Sequence, residues 1–143
     1  FSVRGLNVIG IPKTIDNDLV ETDHCPGYGS AAKIVSTMMA EIYHDTSVYK
    51  KGRVTIVEVM GRDAGWLTAS TELANIYHNG PDLIYLPEAI FDMNKFLADV
   101  EKIYTSKRKV LVAVSEGIKD KNNDKKMELE AIATLIKAVA ARD

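Results

Sequence analysis

Five successive apolar residues, Val110-Leu111-Val112-Ala113-Val114, leave a chain like this few choices of fold. A run so short and so rich in β-branched residues reads as a strand, and a strand without a polar face must be covered on both sides. Parallel sheets built from strand-helix units meet that need, because the crossover helices lie on the sheet faces. The rest of the chain supplies matching parts. Residues 6–11 form a short apolar run, Arg53-Val54-Thr55-Ile56-Val57-Glu58-Val59-Met60 a β-branched one, and Leu83-Ile84-Tyr85-Leu86 a third. Apolar residues recur at helical spacing in Ser30 to Tyr43 (Ala31, Ile34, Val35, Met38, Ile42), in Phe91 to Tyr104 (Phe96, Val100, Ile103) and in 127–141 (Leu129, Ile132, Leu135, Ile136, Val139), and Ala64 to Ala74 also reads as a helix. Four strand-helix units in a row predict an α/β fold: one parallel sheet with helices on both faces, three layers deep. No internal domain boundary interrupts 1–143, and the Lys, Asn and Asp residues of about 119–126 read as a solvated loop.

If the strands are parallel, their carboxyl ends share one edge, which is where open α/β sheets bind ligands. Lys13, Thr14, Asp16 and Asp18 follow the first run, Gly61 and Arg62 the second, Glu88 the third and Glu116 the fourth. Any one of these is more often a surface residue than a ligand. The mixture of cations, a hydroxyl and carboxylates on one edge suits a phosphorylated, hydroxyl-bearing ligand. Asp16-Asn17-Asp18 by itself is turn chemistry more often than catalysis. In an extended chain Asp16 and Asp18 would lie on the same side, so that one could orient the other. Gly27-Tyr28-Gly29 precedes Ser30, which reads as an N-cap, and the glycines read as turn and packing residues rather than an anion loop.

Composition narrows the partners. With 46% apolar and 27% charged residues in 143, the chain is ordinary globular material able to bury a core. Net charge is −2 and no basic face stands out, which argues against nucleic acid and anionic membranes as partners. No apolar run approaches the ~20 residues of a membrane span. The single cysteine, Cys25, fits a reducing, cytoplasmic setting.

Ile11-Pro12-Lys13-Thr14-Ile15-Asp16-Asn17-Asp18, then Val57-Glu58-Val59-Met60-Gly61-Arg62, then Ser115-Glu116-Gly117 together resemble, in order and approximate spacing, the active-site segments of the phosphofructokinase family. The resemblance covers about residues 5–120 and is not recognisable beyond. It implies a piece of a longer protein, holding the sugar-phosphate side of a Rossmann-like phosphofructokinase fold. The implied reaction is phosphoryl transfer to the 1-hydroxyl of fructose 6-phosphate. On this resemblance Asp16 is the base, Asp18 supports it, Thr14 donates a hydrogen bond to the transferring phosphoryl or the sugar, and Arg62 is a cation near the reacting groups. Met60 and Gly61 would line the sugar site and Glu116 would take a sugar hydroxyl. Arg53, at the amino end of its strand, would reach a neighbouring subunit's 6-phosphate, which implies a homo-oligomer.

Lys13 stands where pyrophosphate-using members of the family carry Lys and ATP-using members often carry Gly, so the resemblance favours diphosphate as donor, with ATP the alternative. The Mg²⁺ that the family uses would be held upstream, by no residue of this chain. The 143 residues alone would then be inactive. A non-catalytic sugar-phosphate-binding subunit is a further alternative, against which the presence of both Asp16 and Asp18 counts.

Overall fold

In a computed structural model of the chain, described here for Gly5 and residues 7–120, the sheet has three strands: β1 (Arg53–Val59), β2 (Leu83–Tyr85) and β3 (Lys109–Ser115). They are parallel, in the order β1-β3-β2. The run of five apolar residues is therefore the centre of the sheet, and its pattern is explained by two covered faces. Val110, Val112 and Val114 pack with Phe91, Phe96, Val100 and Ile118 on one side. Leu111 and Ala113 pack with Met39 and Ala74 on the other.

Helices α1 (Tyr28–Ser47) and α3 (Met93–Lys107) supply those opposite covers. The start of α3 is set by Asp92, whose carboxylate accepts from the Asn94 and Lys95 N–H groups at 3.0 and 3.1 Å. The start of α1 differs from the expectation. Its N-cap is Gly27 at φ 101°, not Ser30, because the turn into the helix needs the left-handed backbone that glycine tolerates.

The segment Ala64 to Ala74 also differs. A short helix α2 (Trp66–Ser70) tightens into a 3-10 segment, Thr71–Tyr77. At the junction Ser70 Oγ donates to the Leu67 carbonyl at 2.6 Å and Thr71 Oγ1 to the Thr68 carbonyl at 2.7 Å. These three-residue contacts compete with the i→i−4 ladder.

The strand expected over residues 6–11 is absent from the described part, residues 7–11. The chain there is irregular, with Ile9 92% and Ile11 79% exposed. A strand requires a neighbour to take its N–H and C=O groups, and among the described residues β1, β2 and β3 pair only with one another. What remains is one parallel bridge, Thr14 to Gly27. Two complete strand-helix units, β1-α2 and β2-α3, are thus seen among the described residues; the helix expected over 127–141 after β3 lies outside them, as does most of the 119–126 loop.

Candidate active site

The register levels the strand ends. Val59 pairs with Ser115 and Tyr85 with Val114, so the residues that follow each strand emerge side by side at the carboxyl edge. Gly61 and Arg62 turn back over β3 there. Gly61 has φ 144° and Arg62 φ 54°, and one Glu116 oxygen, Oε1, accepts from both of their N–H groups, at 3.1 and 2.7 Å. A side chain on Gly61 would meet the Ala64 carbonyl at 2.5 Å, and one on Gly117 would run into the carbonyl of Arg62. The Ser115-Glu116-Gly117 motif is thereby explained locally: the Glu holds the turn, and the Gly gives it room. Glu116 was expected to face a sugar hydroxyl; in this structure one of its oxygens already serves the Arg62 turn.

Arg62 reaches toward Asp16, its Nε 3.9 Å from Oδ2. The Asp16 side chain is 11% exposed and that of Arg62 78%. An exposed cation at that distance adds little to stability, on the order of 0–1 kcal/mol; its consequence is the juxtaposition of a buried carboxylate with a mobile positive charge. The Asp16 N–H donates to Thr14 Oγ1 at 3.1 Å, which makes Thr14 part of the Asp16 loop.

Asn17 has no role on the family resemblance, yet it is 7% exposed, holds φ 59°, and uses both ends of its amide. Its Oδ1 accepts from the Cys25 N–H at 2.8 Å and its Nδ2 donates to the Asp23 carbonyl at 3.2 Å. Asn tolerates the left-handed region better than most residues, and that was the available signal. This bend corrects the picture of Asp16 and Asp18 on one side of an extended chain. Asp16 is buried, Asp18 is exposed, and no hydrogen bond joins them.

Lys13 is exposed, its stem passing over Gly27. Met60 is 55% exposed and lines, with Glu116, Val35, Met38 and Val57, a groove of about 330 Å³ between α1 and the end of β1. Arg53 is not part of this cluster. It opens β1, and six residue steps of ~3.3 Å put it about 20 Å from Val59. There its guanidinium lies 3.7 Å from an Asp45 oxygen and 4.1 Å from the centre of the Tyr49 ring. Glu88, at the end of β2, accepts from the Gly65 N–H at 2.7 Å.

Among the described residues no group of three His, Cys, Asp or Glu side chains is placed to hold a metal ion. Asp16 is buried and Asp18 exposed, so the pair does not form a site for Mg²⁺. No helix among them is long and apolar enough to cross a membrane.

Comparison with known proteins agrees with this geometry. The family model described as "Phosphofructokinase" matches residues 1–143, which extends the likeness past the point, about residue 120, where the quoted motifs end. A pyrophosphate–fructose 6-phosphate 1-phosphotransferase of Rhodospirillum rubrum is 46% identical over 121 residues, covering 84% of this chain and 30% of that protein. An ATP-dependent 6-phosphofructokinase 2 of Clostridium perfringens is 38% identical over 125 residues, covering 87% and 32%. Among solved structures, a pyrophosphate-dependent phosphofructokinase from Nitrosospira multiformis superposes with a TM-score of 0.79 at 36% identity, over 90% of this chain and 33% of that one. This chain thus spans about a third of the length of the proteins it matches. With the family model matched along its whole length, a three-layer parallel fold, and the motif residues gathered on one sheet edge, the chain belongs to the phosphofructokinase family.

Proposed function

We propose that the protein carrying this chain transfers a phosphoryl group from diphosphate to the 1-hydroxyl of fructose 6-phosphate, giving fructose 1,6-bisphosphate and orthophosphate. The observation that carries this reading is the buried Asp16 carboxylate with the Arg62 guanidinium 3.9 Å away. A base beside a cation is what the step requires. The 1-hydroxyl oxygen forms a bond to the terminal phosphorus as the bridging P–O bond breaks, its proton passes to Asp16, and the leaving orthophosphate takes the electron pair. Arg62 and Lys13 offset negative charge on the phosphoryl oxygens, and Thr14, whose oxygen accepts from the Asp16 N–H, donates its own O–H to the phosphoryl group or the sugar. Glu116 and Met60 border the groove that would seat the sugar, and Gly61 follows Met60 in the turn beside it. Mg²⁺ and its ligands belong to other parts of the protein. Arg53, some 20 Å from this edge, suits a neighbouring subunit's 6-phosphate in a homo-oligomer. A cytoplasmic setting is in keeping with these phosphorylated substrates.

Diphosphate is favoured by Lys13 and by the Rhodospirillum rubrum relative, whose name specifies that donor. ATP is the second reading, favoured by the Clostridium perfringens relative. The test is turnover of fructose 6-phosphate by the full-length protein with each donor. Diphosphate alone should support it; turnover with ATP alone would replace the donor, and turnover with neither would favour a non-catalytic sugar-phosphate-binding subunit. In the active protein Asp16→Asn should lower kcat by about 10²–10⁴-fold with little change in KM, because it removes a proton acceptor and hardly any volume. Survival of kcat would disqualify Asp16 as the base.

A further inference from the structure

We propose that Glu88 is a positioning residue for Arg62, acting through the turn that joins β1 to α2. The proposal rests on the reading of Arg62 given above. Four N–H groups define that turn. Those of Gly61 and Arg62 are held by Glu116 from the end of β3, that of Ala64 closes on the Gly61 carbonyl at 2.9 Å, and that of Gly65 is held by Glu88 from the end of β2, at 2.7 Å. The turn is therefore held by two carboxylates from the segments that follow two other strands. Glu116 pins the first two residues, the Ala64 N–H and a 2.8 Å ion pair from Lys119 to Asp63 hold the middle, and Glu88 holds the exit at Gly65, where the turn passes into α2.

The need for a second hold is written in the backbone. Arg62 sits at φ 54°, a conformation that an L-residue with a long side chain keeps only when its surroundings impose it. Gly65 is fitted to its partner: a side chain there would meet Glu88 Oε2 at 2.5 Å and Pro87 Cδ at 3.0 Å. Pro87 also touches the other end of the device, since a side chain on Gly117 would meet its Cβ at 3.2 Å. Pro87 thus wedges between the two glycines and, with its restricted φ, aims the Glu88 that follows. The Pro87-Glu88 pair, which reads in the sequence as a commonplace strand end, closes the turn that presents Arg62 to Asp16.

The full-length protein tests this through four variants. Glu88→Ala should lower kcat by about tenfold, whereas Glu88→Gln, whose amide oxygen still accepts from Gly65, should stay within about twofold of wild type. In an Arg62→Ala background Glu88→Ala should cost nothing further, since a residue acting through Arg62 has no effect once Arg62 is gone. The peptide spanning 60–66 should exchange its amide hydrogens faster in Glu88→Ala, with β3 peptides unchanged. The proposal is overturned by a Glu88→Ala enzyme of wild-type kcat, by Glu88→Gln being as impaired as Glu88→Ala, or by losses that add fully to those of Arg62→Ala. Wild-type kcat in Arg62→Ala alone would refute the role given to Arg62, and hydrogen exchange at 60–66 would then decide whether Glu88 holds the turn.

Discussion

Asn17 shows how much a single side chain can do for a neighbouring candidate base. By holding the Cys25 N–H and the Asp23 carbonyl it ties the Asp16 loop to the entry of α1, so Asp16 is buried by the chain on both sides of it. Asn17→Ala would leave the buried Cys25 N–H without its acceptor and put a less tolerant residue at φ 59°, lowering stability by about 1–3 kcal/mol in urea unfolding. Tyr85 is the opposite case. Its hydroxyl is buried without a hydrogen-bond partner among the described residues, while its ring lies 5.2 and 5.4 Å from those of Phe91 and Phe96. Burial, reinforced by the Asp99 charge, pushes the phenol up from 10.0 to about 12. The neutral form is thus favoured in the fold. The unfolded chain loses this proton first, so stability declines as pH rises from about 10 toward about 12. Tyr85→Phe should be neutral or stabilising near neutral pH and should flatten that alkaline decline, as read from urea midpoints at about pH 9 and about pH 11. Residue types made Asp16 and Arg62 legible as a pair of interest, but their meeting depends on the positive φ of Asn17 and of Arg62, and backbone dihedrals leave little trace in a sequence.

Elements were legible in proportion to how far they carry their own reasons. β3 was plain because an all-apolar run has only one kind of place to go, and α1 because its apolar residues keep helical spacing over a long segment. The run at 6–11 carries the same apolar signal as β2, yet β2 is a strand because β3 receives it. Asp82 helps in this, its carboxylate accepting from the Leu111 N–H at 2.9 Å and from Lys107 at 2.6 Å. The 3-10 segment was hidden because, over so few residues, the spacing of apolar side chains does not separate it from an α-helix. At this scale α3 offers a direct check. Asp92→Ala removes the acceptor for two N–H groups and should lower stability by about 1 kcal/mol, seen as a reduced thermal midpoint. Phe96→Ala, in the first turn of the same helix and fully buried, should cost about 3–5 kcal/mol.

The molecule as a whole was legible as an α/β assembly because parallel strands demand helices on both faces, and the two core clusters lie on those faces. The chain corresponds to about a third of the proteins it matches, and its described residues gather a buried carboxylate and a cation but no metal-holding cluster. The 143 residues expressed alone should therefore show no phosphorylation of fructose 6-phosphate in a coupled assay with either donor. Turnover by that polypeptide would mean that the site needs far less than the family's full length.

The strand order also dictates when the site can come into being. β1 and β2 are not neighbours in the sheet; among the described residues each pairs only with β3, the last of the three to be synthesised. On a ribosome adding about 5–20 residues per second, the earlier strands wait for seconds without a partner. These long-range pairings make for slow, late folding. The same arrival brings Glu116 to the Arg62 turn, so the sheet and the candidate site should form together, in one cooperative step, near the end of translation of this segment.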